Sequence, residues 1–209
     1  MKYKIDSQVR GVRIISGDEA KERRSVLNQL INLAEAAGCQ EIILPSLEPA
    51  KIYADKAGTE VLDQMYVLKD KKSRELCLRP EGTATVQLLA DKHLSRNKDV
   101  KFWYFERCWR YEKPQEGRYR EFFQFGVEVI NPSSDKVKEE LIALAEAMVR
   151  VKTSEFDTVA SVKRGLQYYT EDGFEISANK LGSQKQIVGG GAYRQGIGFG
   201  IGFDRLMLC

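Results

Sequence analysis

The tightest constraint on this chain lies between residues 101 and 130. Lys101 to Tyr111 and Glu121 to Ile130 are two long, aromatic, alternating segments joined only by the polar stretch Glu112 to Arg120. Alternation with period two marks both as strands, and so short a link makes them antiparallel neighbours. On the second, Gln124, Gly126 and Glu128 share one face while Phe123, Phe125, Val127 and Val129 share the other. On the first, Tyr104, Glu106, Cys108 and Arg110 oppose Trp103, Phe105, Arg107 and Trp109. One face of this ribbon must be core. The other is either a solvated surface, the commoner fate of an alternating strand, or a charged site if Arg110 and Glu128 look the same way.

The remaining elements fall around this pair. Ser16 to Glu19 has capping-box spacing, and Val26, Leu27, Leu30, Ile31, Leu33, Ala34 and Ala37 recur at helical spacing until Gly38. Cys39 to Leu44 reads as a short strand stopped by Pro45, and Met65 to Leu68 and Leu76 to Arg79 flank a polar turn. A second helix is expected from near Gly82 toward Lys92, and a third over Asp135 to Val151. Strand-like stretches follow at Phe156 to Val162, Gly173 to Ser177, Gln186 to Val188 and Ile197 to Phe203. Clustered strands with few, separate helices predict an α+β fold on an antiparallel sheet flanked by helices, with residues 1–209 forming a single domain.

Bulk composition narrows the function classes. Basic and acidic residues, 33 against 30, are spread along the chain, so the net charge of +3 argues for no particular partner. Cys39, Cys77, Cys108 and Cys209 form no CxxC pair, and the single His93, in a charged helix tail, completes no zinc set and no catalytic triad. Four reduced thiols fit a cytoplasmic protein. No signal core and no long apolar run is present, so secretion and membrane insertion are not expected.

Two stretches could carry chemistry. The link from Glu112 to Arg120 is far longer than a two-residue hairpin and holds three cations, Lys113, Arg118 and Arg120. Near the C-terminus, Gly196, Gly198, Gly200 and Gly202 alternate with Ile197, Phe199, Ile201 and Phe203, leaving one strand face bare. Such a face admits either a second backbone or a flat ligand such as adenine, and Arg205 immediately after it tips the reading toward a polyphosphate. No GxxxxGK[ST] loop is present, and no GxGxxG joins a strand to a helix, so a nucleotide would have to bind in another manner.

Taken in order, these segments resemble the three motifs of class II aminoacyl-tRNA synthetases, and the histidine enzyme more than other members. The first helix, strand and Pro45 look like motif 1, which implies a homodimer. Leu78-Arg-Pro-Glu-Gly-Thr83 is similar to the family's LRPEGT segment, and Trp109 through Glu128 looks like motif 2 with its loop. Lys163-Arg-Gly-Leu-Gln-Tyr-Tyr-Thr170 with Phe174-Glu175 resembles the histidine-specific RGLDYYT and FE block, and Gly189-Gly-Gly-Ala-Tyr193 the second specific block. Gly198 through Arg205 looks like motif 3.

The resemblance implies ATP-dependent activation of histidine to histidyl-adenylate, with Mg²⁺ accompanying ATP and the acceptor end of tRNA(His) as a further partner. Carried over by position, Arg110, Arg164 and Arg205 are the catalytic cations around the polyphosphate. Glu112, Arg118, Phe123 and Gly202 join Arg110 and Arg205 in binding ATP. Glu81, Thr83 and Gln124 hold the substrate ammonium, and Glu128, Tyr168 and Tyr169 read the imidazole side.

Departures from the family pattern are equally specific. Val151 and Arg164 lie close together where relatives usually carry a large insertion, and Cys209 follows motif 3 almost directly, with no counterpart of an anticodon-binding domain. Selective tRNA charging is therefore not expected of these residues alone. Gln167 stands where the family has Asp, and the RYDGL stretch is reduced to Ala192-Tyr-Arg-Gln195. Two other functions fit the same resemblance: a non-catalytic histidine sensor like the regulatory subunit of ATP phosphoribosyltransferase, and a ligase loading an amino acid onto a carrier protein.

Overall fold

The computed structural model describes residues 9–54, 59–163, 169–182 and 184–209. Arg164, Gln167 and Tyr168 lie outside them. In chain order the elements begin with α1 (Gly17–Ala36), β1 (Gln40–Glu41), β2 (Leu47–Pro49), α2 (Lys51–Ala54) and α3 (Thr59–Asp63). Then come β3 (Val67–Lys69), β4 (Glu75–Leu78), α4 (Thr83–His93), β5 (Val100–Trp109), β6 (Glu121–Ile130) and α5 (Val137–Val149). The chain closes with β7 (Asp157–Val162), β8 (Gly173–Ser177), β9 (Gln186–Tyr193), β10 (Gly196–Gly202) and α6 (Phe203–Leu206).

Seven strands form the main sheet in the order β1-β5-β6-β10-β9-β8-β7. All its pairs are antiparallel except β1 with β5, so the sheet is mixed at one edge. The segment Cys39 to Leu44 contributes only two ladder residues. Beyond them Ile42 donates to the Trp103 carbonyl at 2.9 Å and Leu44 donates instead to a side chain, Glu106 Oε1, at 2.7 Å. A separate three-stranded sheet, β2-β4-β3, was legible only as β3 and the central strand β4.

One face of the main sheet carries Trp103, Phe125, Val127, Phe199 and Ile201, packed with Leu27 and Leu30 of α1 and Leu141 and Met148 of α5. Trp103 stacks on Phe125 with centroids 5.6 Å apart. Burying aromatic faces of this size supplies most of the driving force for the fold. The start of α1 differs from expectation in detail: Ser16 occupies the N-cap position but makes no side-chain cap hydrogen bond.

The opposite face is not solvated. α4 lies on it through Val86 and Ala90, against Tyr104, Ile130 and Tyr193. Arg79, fully buried, ties this layer together: its guanidinium donates to the carbonyls of Leu44 at 2.8 Å, Pro45 at 2.7 Å and Arg107 at 2.9 Å, and to Glu106 Oε2 at 2.7 Å. A buried cation is tolerable only when so thoroughly paired.

The register of β6 with β10 explains the alternating glycines. Glu128 faces Gly198 and Gln124 faces Gly202 across the ladder. A Cβ on Gly198 would lie 1.8 Å from Glu128 Oε2 and 2.6 Å from the Val127 carbonyl, and one on Gly200 would lie 2.2 Å from Gln124 Nε2. Much of the bare face is therefore taken up by the chain's own polar side chains. Gly202 differs, its nearest neighbours being 3.7 Å away, and its φ of −69° suits any residue. We expect Gly198→Ala to destabilise the chain by about 1–3 kcal/mol, the usual range for overpacking. Gly202→Ala should unfold at the wild-type denaturant midpoint, and equal midpoints for the two variants would contradict this packing.

Candidate functional site

The polar face of the main sheet opens into a cavity of about 570 Å³. Its lining includes Glu81 and Thr83 at the start of α4, Gln124 on β6, Tyr169, and Gly200 and Gly202 on β10. Arg110, Glu112, Arg118 and Arg205 line it too, so one cavity gathers the described residues singled out by sequence, with Glu128 buried behind it.

At the amino-acid side, Glu81 sits just ahead of α4 and accepts the backbone N–H of Thr83 at 2.7 Å and of Ala84 at 2.9 Å. A carboxylate at that position satisfies otherwise orphaned helix donors and meets the positive end of the helix dipole. Thr83 Oγ1 donates to Glu128 Oε1 at 2.7 Å, and the Tyr193 hydroxyl donates to Glu128 Oε2 at 2.8 Å. Gln124 Oε1 accepts the Gly82 N–H at 3.2 Å. Burial pushes the Glu128 carboxyl up to about 8, with the nearby Glu81 adding to the shift and the Thr83 and Tyr193 hydroxyls opposing it. Glu81 is raised as well, first by burial and against the backbone donors and Arg110. The face thus holds two carboxyls pushed toward their neutral forms.

At the other side the charges are cationic. Arg110, just past β5, donates Nε to the Pro80 carbonyl at 2.9 Å and lies 5.3 Å from the Phe122 ring. Arg205 is held by the carbonyls of Gly117 at 2.9 Å and Gln186 at 3.0 Å and by Gln184 Oε1 at 3.2 Å. Burial lowers its pKa first, and the nearby cations Arg110 and Arg118 lower it further. Arg118 is paired with Glu112. Three guanidiniums crowded at one wall repel one another, and an anion among them removes that cost.

Phe123 is among the residues that line the cavity. Its ring stacks on Phe105 at 5.0 Å and belongs to the core side, as its alternation with Gln124 dictates. The ring beside Arg110 on the cavity side is Phe122, which the sequence reading passed over. Tyr193 and Asp204 were missed too. Tyr193 was visible only as part of a motif, and the role of Asp204 depends on distant partners. Tyr104, fully buried against Gly82 and Gly126, was placed on the right face without a role. Glu175 also lines the cavity, in register with Gly189. His93 is exposed at the end of α4.

Among the described residues no group of three or more His, Cys, Asp or Glu side chains is arranged to hold a metal ion, and no helix is long and apolar enough to cross a membrane. The four cysteines are free.

Comparison with known proteins agrees with this geometry. The histidine--tRNA ligase of Archaeoglobus fulgidus is 29% identical over an alignment of 303 residues that takes in 94% of this chain and 74% of that protein. That alignment is longer than the chain itself, so a long stretch inside the relative has no counterpart here. The apo histidyl-tRNA synthetase of S. aureus superposes with a TM-score of 0.81 at 26% identity, covering 98% of this chain and 70% of that one. A Bacillus halodurans protein described as an ATP phosphoribosyltransferase regulatory subunit/histidyl-tRNA synthetase has the same fold, with a TM-score of 0.81 at 18% identity over 99% of this chain and 84% of that one. The Histidyl-tRNA synthetase family model matches residues 11–159. With its mostly antiparallel sheet and this match over most of its length, the chain belongs to the histidyl-tRNA synthetase family.

Proposed function

We propose that the cavity activates histidine with ATP, forming histidyl-adenylate, and that residues 1–209 act as one catalytic domain. The observation that carries this reading is the polarity of a single cavity, with buried carboxyls and hydroxyls at one side and crowded guanidiniums at the other. Arg110 lies beyond β5 near Phe122, and Glu128 sits six residues further along β6, roughly 20 Å at the rise of a strand. That span suits an amino acid and a nucleotide laid end to end.

In the reaction a carboxylate oxygen of histidine attacks the α-phosphorus of ATP. The bond from phosphorus to the bridging oxygen breaks, and pyrophosphate leaves. Arg205, fixed by three acceptors, takes the γ-phosphate, while negative charge builds on the non-bridging oxygens of the α-phosphate, where Arg110, fixed by Pro80, need not reorganise to stabilise it. Arg164, outside the described residues, is assigned to the same phosphate from the amino-acid side. Glu81, Thr83 and Gln124 hold the substrate ammonium. Glu112, Arg118, Phe123 and Gly202 receive the nucleotide, with the Phe122 ring beside them. Mg²⁺ would enter with ATP, and Glu112 and Glu175 supply oxygen donors of the kind that ion takes.

Glu128, together with Tyr168 and Tyr169, reads the imidazole. A neutral buried carboxyl donates a hydrogen bond to the acceptor nitrogen of an imidazole ring set against it, a contact that side chains without such a nitrogen cannot make. A homodimer and transfer to the acceptor end of tRNA(His) follow from the family and belong to this proposal, as does a cytoplasmic setting.

Pyrophosphate exchange with ATP tests the reading, run with histidine and with a panel of other amino acids. Histidine should support exchange, and Arg110→Ala and Arg205→Ala should each slow it at least about a hundredfold, the usual loss for a transition-state charge donor. Histidine binding without exchange would overturn activation in favour of a sensor, and exchange with another amino acid would overturn only the specificity.

A second prediction concerns pH. Burial pushes the Glu128 carboxyl up to about 8 in the folded chain, from an ordinary value of 4.5. A raised carboxyl contributes most below the exposed value, and its contribution is lost as pH climbs to the folded value. Glu128→Gln mimics the neutral form and removes this loss. From pH 5 to 8 the wild type should therefore lose a few kcal/mol more stability than Glu128→Gln, measured by denaturant unfolding. Glu48, also raised, is common to both chains, and Glu81, coupled to Glu128, is raised less once that charge is gone, so the difference keeps its sign. Parallel stability curves would refute the neutral carboxyl.

A further inference from the structure

The segment ahead of α1 is clasped to the cavity's wall at several points. Gly11, with φ of +84°, offers its carbonyl to the Arg120 N–H at 2.9 Å, and a Cβ there would lie 2.8 Å from Pro114 Cγ. Only glycine combines that left-handed backbone with so close an approach to the loop. Two residues on, the Arg13 guanidinium lies 3.7 Å from the centre of the Tyr119 ring and donates Nη2 to Asp204 Oδ1 at 2.5 Å.

Asp204 is the hub of this contact. It is buried, takes a second cation from Arg23 Nη1 at 3.0 Å, and accepts the Phe123 N–H on Oδ2 at 2.7 Å. Arg205, its neighbour in the chain, in turn donates to the Gly117 carbonyl of the loop. Strap, loop and α6 therefore close a ring: Gly11 on Pro114 and Arg120, Arg13 on Tyr119 and Asp204, Arg205 on Gly117. Tyr119, Arg118, Asp204 and Arg205 all line the cavity. None of these contacts reaches Glu81, Thr83 or Glu128.

We propose that residues 11–13 are a positioning strap for the nucleotide half of the site, with Arg13 a positioning residue that sets loop 112–120 and Arg205 without touching the amino-acid half. The proposal rests on the activation reading for its kinetic test alone. Removing Arg13 frees the loop, so the guanidiniums must be ordered when ATP binds, and the cost falls on ATP affinity.

The test uses the full chain carrying Arg13→Ala, with Arg13→Lys beside it. Amide hydrogen exchange of the ligand-free protein should be at least about tenfold faster in Arg13→Ala at Arg118 and Arg120, the change expected for loss of one ion pair and its stacking. Exchange within β5 and β6 should be unchanged. In the pyrophosphate-exchange assay the KM for ATP should rise about tenfold while that for histidine stays within about twofold, a split that general destabilisation does not produce. Arg13→Lys, which keeps the charge but not the planar stacking, should fall between. Unchanged loop exchange, or equal rises in both KM values, overturns the strap. If the wild type shows no pyrophosphate exchange at all, the activation reading fails and the loop's hydrogen exchange alone decides the strap.

Discussion

The structure turns on the pairing of β6 with β10. Their register puts Glu128 opposite Gly198, and the carboxyl then lies where any other residue's Cβ would be. A carboxyl so placed cannot reach water. It is fully buried, which pushes its pKa up, and it takes hydrogen bonds from Thr83 and Tyr193. Those two donors come from the start of α4 and the end of β9, so one buried acid specifies where a helix and a strand must sit. Glu81 repeats the device by capping the same helix from the position before Gly82.

Behind this layer, Arg79 plays the corresponding part for the small sheet. It bridges the turn at Leu44 and Pro45 to β5, and it precedes Pro80, whose carbonyl orients Arg110. The cationic wall and the carboxyl wall are thus set by separate anchors that meet at residues 79 to 83. The hydrophobic face beneath supplies the driving force. Polar interactions on the upper face decide where each charge stands, at some expense in stability, as polar groups commonly do at functional sites.

Much of this was legible without coordinates. Alternation over Glu121 to Ile130 located both faces of β6, and strong helical periodicity placed α1, α4 and α5 within a few residues. Other features needed three dimensions. The solvated-face reading failed because α4 covers the polar side, and nothing in the alternation of a strand tells what lies above it. The glycines at 196 to 202 looked like a bed for adenine, yet Gly198 and Gly200 make room for Glu128 and Gln124, and only Gly202 stays open. Phe122 and Phe123 both line the cavity, but one step in a strand turns the Phe123 ring onto Phe105 and the core side. The links from Arg13 and Arg23 to Asp204 span most of the chain and leave no local pattern.

In the proposed function, one cavity holds histidine against Glu128 and a triphosphate against Arg110 and Arg205. A crystal structure of the chain with histidine and a non-hydrolysable ATP analogue tests it most directly. The expected complex has an imidazole nitrogen within hydrogen-bond distance of the Glu128 carboxyl, the α-phosphate at Arg110, and the adenine against Phe122. A histidine bound elsewhere, or phosphates that leave Arg110 and Arg205 without contact, would contradict it.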